Sequence, residues 1–204
     1  MKGKFITLEG CEGVGKSRQL KMLTADLDAL GIDYITTREP GGPAISEKIR
    51  EIILDKENAA MSPECEALLY AAARVQHLKE TVTPALEAGK LVVCDRYIDS
   101  SFAYQSVARG LGFDFVEKIN CLAYMPDLTL FLDLPPDEAF KRKGGAEEND
   151  RMELSGMDFH RKVYEGYREV AARYPDRVVS INPRGTKEET HAKIMAALKD
   201  KDII

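Results

Sequence analysis

No apolar run in the 204 residues approaches the ~20 needed to span a bilayer, and Met1–Lys4 leads directly into a short strand pattern rather than a secretory leader. A cytoplasmic protein with no membrane partner is expected. Basic residues are outnumbered, 29 Lys and Arg against 34 Asp and Glu for a net charge of −5. That balance excludes the broad cationic face of a general nucleic-acid binder and allows only local basic patches. Cysteine is sparse and unpaired in spacing: Cys11, Cys65, Cys94 and Cys121 lack the short pairs of a zinc or redox site. A reduced protein follows, with Cys65, Cys94 and Cys121 expected to be small buried hydrophobes. There is no internal repeat and no linker. With 44% hydrophobic residues, the chain suits one core and a single domain spanning 1–204.

Short apolar runs alternate with stretches of helical period, the pattern of strand–helix–strand units around a parallel sheet. Five runs read as strands: Phe5–Leu8, Tyr34–Thr37, Leu91–Cys94, Leu128–Leu132 and Val178–Ile181. Leu20, Leu23, Leu27 and Leu30 form one apolar stripe on a helix that stops at Gly31. Ser62-Pro63 caps a long helix predicted to run to about Ala88, ended by Gly89, and Thr186 with Glu189 reads as a capping box for the last helix. Lys141–Arg151, with Gly144-Gly145 and mixed charge, reads as a mobile surface segment.

The strongest motif is Gly10-Cys11-Glu12-Gly13-Val14-Gly15-Lys16-Ser17, a G-x-x-x-x-G-K-[ST] loop between a strand and a helix. Glycines let backbone N–H groups converge, the helix terminus adds partial positive charge, Lys16 reaches outer phosphates and Ser17 suits Mg²⁺. Such a cradle is shared by ATPases, GTPases and small-molecule kinases, so other residues must decide. No N-K-x-D guanine-reading element is found. Arg38-Glu39-Pro40-Gly41-Gly42 and Asp95-Arg96-Tyr97 set charged pairs at two further strand ends, where open α/β sheets bind ligands. On these residues alone the reading stops at a P-loop transferase with an anionic second substrate. A nucleotide-dependent switch without turnover stays open.

At these motifs the chain resembles the bacterial thymidylate kinase family. The likeness also includes Thr37 before the Arg38 loop, Leu69-Tyr70-Ala71-Ala72-Ala73-Arg74, Ser100-Ser101-Phe102-Ala103-Tyr104-Gln105, and Asp150-Arg151-Met152-Glu153. It implies a P-loop nucleoside monophosphate kinase fold with a five-stranded parallel sheet flanked by helices. A mobile lid at about 141–152 and a homodimer are implied too. The reaction implied is transfer of the terminal phosphoryl of ATP to dTMP with Mg²⁺; another nucleoside monophosphate is the nearest alternative acceptor.

Carried over by position, Tyr70 stacks on the thymine, Arg74, Ser101 and Gln105 address the base, and Tyr104 packs at the sugar edge. Arg50 and Arg96 hold the acceptor phosphate, Glu12 lies near the 3′-hydroxyl and that phosphate, Glu39 buttresses the site, and Asp95 joins Ser17 at Mg²⁺. Arg142, Lys143 and Arg151 bracket the lid. Arg142 is the candidate for charge on the transferring phosphoryl, with Arg151 second. Arg18 after Ser17 and the glycine- and acid-rich stretch after Lys141 depart from the family pattern. His77, His160 and His191 carry no catalytic expectation, because direct phosphoryl transfer relies on positioning and charge.

Overall fold

The computed structural model describes residues 3–143 and 150–204. Of the segment expected to be mobile, Lys141–Arg151, residues 144–149 with Gly144-Gly145 fall outside it, as does the Lys143 side chain. Five parallel strands form one sheet in the order β2-β3-β1-β4-β5. They are β1 (Phe5–Glu9), β2 (Tyr34–Arg38), β3 (Leu91–Asp95), β4 (Leu128–Leu132) and β5 (Val178–Ile181). The predicted runs are recovered with at most one residue added at the carboxyl end. Every residue of β1 and β4 is buried, as expected for strands covered on both faces, whereas edge strand β2 alternates between half-buried and exposed. Register follows from pairs such as Phe5 with Val92 and Ile6 with Leu128.

Helix α1 (Lys16–Ala29) leaves β1 through the glycine-rich loop and buries Leu23 and Leu27. Leu30 departs from the predicted stripe: it is 58% exposed, because the helix has ended at Ala29 and the chain turns at Gly31, φ +69°. Beyond β2 come α2 (Ala44–Leu54) and α3 (Pro63–His77), whose Ser62 Oγ accepts the Cys65 N–H at 3.2 Å. The long helix predicted to Ala88 is instead interrupted by a π-helical turn, Leu78–Val82, before α4 (Thr83–Glu87). Pro84 has no N–H to give the regular ladder, so the preceding turn widens.

Strand β3 leads into α5 (Ile98–Ser101), a second π-helical stretch at Phe102–Ala108, and α6 (Phe113–Ile119). After β4 follow α7 (Pro136–Lys143) and α8 (Met157–Arg173); after β5, α9 (Lys187–Asp200). The Thr186 and Glu189 capping box is formed in both directions, at 3.1 and 2.8 Å. Cys11 and Cys94 are buried, but Cys65 and Cys121 are exposed, contrary to expectation: one lies in the first turn of α3 and the other in the turn after α6. Among the described residues no helix is long and apolar enough to cross a membrane.

Helix α8 crosses the Phe102–Ala108 stretch at Gly166. A Cβ there would lie 2.7 Å from Ala103 Cα and 2.8 Å from Ala103 O, backbone atoms that cannot swing aside. Helix propensity alone favours Gly166→Ala by about 1 kcal/mol. The close backbone approach should reverse that sign, with a net loss of about 1–3 kcal/mol. Urea unfolding is expected to show a lower midpoint at unchanged slope; a gain in stability would remove the contact from the account.

Candidate active site

The carboxyl ends of the strands open into one cavity of about 790 Å³. Its lining runs from Arg50 and Tyr70 on the β2 side, past the glycine-rich loop, to Pro183 and Thr186 after β5. The opposite edge strands, β2 and β5, therefore bound its two ends. That size suits ligands as large as nucleotides.

The central feature is the loop between β1 and α1. Gly10 has φ +140°, and a Cβ there would stand 2.9 Å from Leu132 O, so the first position needs glycine for both conformation and space. Gly15 (φ +103°) caps α1 without a side-chain acceptor, and the first turn has no acidic residue, which favours an anion at this helix end. Glu12, Gly13, Val14, Gly15, Lys16 and Ser17 all line the cavity. Lys16 Nζ donates to Gly10 O at 3.1 Å and Cys11 O at 3.0 Å. Burial, and then the Arg96 charge, lower its pKa from the ordinary lysine value. Cys11 is 1% exposed, and burial pushes its thiol up to about 12.

Beside the loop, Arg96 adopts φ +66°, a strained conformation for a residue with a side chain. Its Nη2 donates to Glu12 Oε1 at 2.5 Å and its Nη1 to Tyr167 Oη at 2.8 Å. The Arg96 N–H bonds Leu8 O at 3.0 Å and the Tyr97 N–H bonds Glu9 Oε1 at 2.7 Å, which fix the strained corner to the end of β1. Glu9 Oε2 also accepts from Ser100 Oγ at 2.7 Å and Tyr167 Oη at 2.9 Å. Burial, and then the Asp99 carboxylate, push the Glu9 carboxyl up to about 7. Tyr167 carried no signal in the sequence, since its place on an amphipathic helix reads as ordinary core.

Toward β2, the cavity wall contains Arg38, Glu39, Arg50, Tyr70, Ser101, Tyr104 and Gln105. Arg50 Nη1 donates to Pro40 O at 2.8 Å, and burial, then Arg38, lower its pKa. Tyr104 meets Phe159 and Tyr167 edge-on at 6.0 and 6.3 Å between centroids, leaving the ring little freedom. Arg74 differs from the sequence reading. It is 2% exposed and absent from the lining; its Nε pairs with Glu39 Oε2 at 2.8 Å, Nη1 with Asn120 Oδ1 at 2.5 Å and Nη2 with Ser101 Oγ at 3.0 Å. It lies behind the wall and bears on it through Ser101. Glu39 Oε1 also lies 2.8 Å from His77 Nδ1, a second polar partner inside the wall.

Two arginines flank the undescribed segment and differ in environment. Arg142 lines the cavity and donates to Pro183 O at 2.9 Å. Arg151 is buried, with Nε on Ile53 O at 2.8 Å and Nη2 on Glu66 Oε2 at 2.7 Å. It does not line the cavity; the runner-up of the sequence reading lies behind the wall, against Glu66. Asp95 lines the cavity with Ser17, and its Oδ1 is buried with no hydrogen-bond partner among the described residues. Sequence reasoning missed the Pro183, Gly185 and Thr190 wall as well as Glu66 and Arg109 behind Gln105. A charged residue on a helix ordinarily reads as a solvated face.

A family model described as thymidylate kinase matches residues 8–194. A thymidylate kinase of Clostridium novyi is 50% identical over 203 residues, covering 97% of this chain and 99% of that one. One of Oceanobacillus iheyensis is 49% identical, covering 99% and 94%. A crystal structure of thymidylate kinase from Ehrlichia chaffeensis superposes with a TM-score of 0.80 at 27% identity, covering 97% of this chain and all of that one. The sheet order, the phosphate loop and the full-length similarity agree that this chain belongs to the thymidylate kinase family.

Proposed function

We infer that the protein transfers the γ-phosphoryl of ATP to dTMP, giving ADP and dTDP on the route to dTTP. The observation that carries this reading is the single cavity in which a phosphate loop and an arginine-flanked aromatic wall face one another. A donor phosphate chain on the loop and an acceptor nucleotide along Tyr70, Ser101, Tyr104 and Gln105 would meet near Lys16 and Arg96. Both reactants are anions, so catalysis consists mainly of aligning them and offsetting their repulsion. Arg50 and Arg96 hold the acceptor phosphate, with Glu12 fixing the Arg96 guanidinium. Tyr70 offers a ring face for the base and Tyr104 crowds the sugar. Lys16 exchanges its two neutral carbonyl partners for phosphate oxygens, which make stronger charge-assisted bonds.

The donor set fits Mg²⁺, a hard cation that binds through one or two carboxylates together with phosphates and water. Ser17 Oγ and Asp95 Oδ1, which has no hydrogen-bond partner among the described residues, would hold it. Bound there, it neutralises charge on the phosphate oxygens. A homodimer is supported by Leu68 and Val75, 51% and 39% exposed and seven residues apart on one face of α3. A reduced cytoplasmic setting is consistent with four free cysteines.

Coupled measurement of ADP release in the presence of dTMP, dUMP, dCMP or AMP tests the activity; turnover without any acceptor, or equal turnover with all four, would overturn it. Lys16→Ala should reduce kcat by roughly 10²–10³-fold or more with circular dichroism unchanged. Near-normal turnover would remove the loop lysine from the reaction.

Arg142 is the lid arginine assigned to the transferring phosphoryl, because its hydrogen bond among the described residues goes to the neutral Pro183 carbonyl while Arg151 is committed to Glu66. Initial-rate kinetics should show Arg142→Ala lowering kcat by at least tenfold with the KM for ATP changed little. A silent Arg142→Ala beside a kcat loss in Arg151→Ala would reverse the assignment.

The buried Glu9 carboxyl, near 7 when folded against an ordinary 4.5, binds its proton more tightly in the folded protein. Its contribution to stability is therefore complete below about pH 4.5 and is lost as the pH rises through 7. Urea melts from pH 5 to pH 7.5 should show a downward trend that Glu9→Gln flattens. An unaltered slope would mean that Glu9 does not titrate in this range.

A further inference from the structure

Gln105 is 1% exposed, lines the cavity beside Ser101, and directs its amide Nε2 at Glu66 Oε1 across 2.9 Å. An amide's two ends look alike in shape, but the chemistry of the partner distinguishes them. Glu66 is 1% exposed and accepts on both oxygens: Arg109 donates through Nε at 3.2 Å to Oε1 and through Nη2 at 3.0 Å to Oε2, and Arg151 Nη2 donates at 2.7 Å to Oε2. Burial alone would raise its pKa, yet the hydrogen bonds from Arg109, Gln105 and Arg151 outweigh it and hold the carboxyl below its ordinary value. An ionised carboxylate only accepts. Gln105 must therefore turn its NH₂ to Glu66, which leaves its carbonyl oxygen for the cavity.

We propose that Glu66 is a positioning residue for substrate choice: by fixing the amide sense of Gln105, it makes the base wall present an acceptor and so select a pyrimidine with an N–H at the ring edge. A thymine-type ring carries that N–H at N3, whereas a cytosine ring has a lone pair there. Two facing acceptors in a water-poor pocket leave both unpaired. Glu66, Tyr70 and Arg74 recur every four residues on α3, so one helix face carries the orienting carboxylate, the ring platform and the guanidinium that bears on Ser101. Arg109 and Arg151 keep the carboxylate ionised; Arg109 also lies over the Phe159 ring at 4.3 Å, which pins its plane. Arg151 is fastened to the end of α2 through Ile53 O and Leu54 O.

This inference rests on dTMP being the acceptor, and wild-type turnover of dTMP over dCMP is measured first; no preference there would overturn the acceptor reading itself. With that preference in hand, kcat/KM for dTMP and dCMP and the KM for ATP are determined for Glu66→Gln and Glu66→Asp. The first gives Gln105 a partner that both donates and accepts. The second keeps the charge beside the two arginines but withdraws it from Gln105, which preserves folding if the neutral variant is unstable. Each folded variant is expected to raise the KM for dTMP and to narrow the dTMP over dCMP preference at least tenfold, with the KM for ATP within twofold. In a Gln105→Ala background, Glu66→Asp is expected to change the preference no further, since its effect passes through Gln105. A preference unchanged in the folded single variants, or narrowed equally in the Gln105→Ala background, would overturn the proposal and leave Glu66 a purely structural anchor.

Discussion

The site depends on one buried carboxylate, Glu9, at the end of the central strand. It accepts the Tyr97 N–H, the Ser100 hydroxyl and the Tyr167 hydroxyl, and so joins β1, the corner after β3 and helix α8. The corner it secures contains Arg96 in the left-handed region, a conformation that costs roughly 1–3 kcal/mol and persists only where its surroundings over-determine it. The corner so held directs the Arg96 guanidinium at Glu12 in the phosphate loop. A buried acid is costly to keep, and its elevated pKa is the measure of that cost.

The same arrangement recurs twice around the acceptor wall. Glu39 pairs with Arg74 and His77, and Glu66 with Gln105, Arg109 and Arg151. Ser101 and Gln105, which line the cavity, are neutral, while Arg74 and Glu66, the charged groups that hold them, are absent from the lining. Buried ion pairs of this kind contribute little net stability but leave a heavy penalty when one partner is removed. Their value here is geometric: they hold Ser101 and Gln105 in fixed orientations at the cavity wall.

Much of this was legible in the residues. Strands buried on both faces leave an uninterrupted apolar run, which is why β1 and β4 were found at their true start, and glycine with positive φ in a G-x-x-x-x-G-K-[ST] frame admits few other folds. Depth was not legible. A spacing of four put Tyr70 and Arg74 on one helix face, yet one reaches the cavity and the other lies behind it, because helical period gives direction and not distance from the site. Arg151 enters the sequence reading through the resemblance, as a residue bracketing the lid, and position in the chain likewise gives no depth. Glu66 left no mark, since an acidic residue near a helix start is ordinarily a favourable neighbour of the helix dipole. The π-helical turn came from Pro84, whose effect reaches back four residues and does not appear in apolar period.

The two classes of cysteine have a practical consequence. The thiol inside the phosphate loop is shut away from solvent and stays protonated at neutral pH, so it is a poor nucleophile and a poor target for oxidants. Cys65 and Cys121 stand on the surface, outside the residues that line the cavity. Maleimide dyes or spin labels can therefore be attached to the natural sequence at two points without touching the loop that grips phosphate. A label at Cys65 sits on α3, the same helix that brings Tyr70 to the cavity wall.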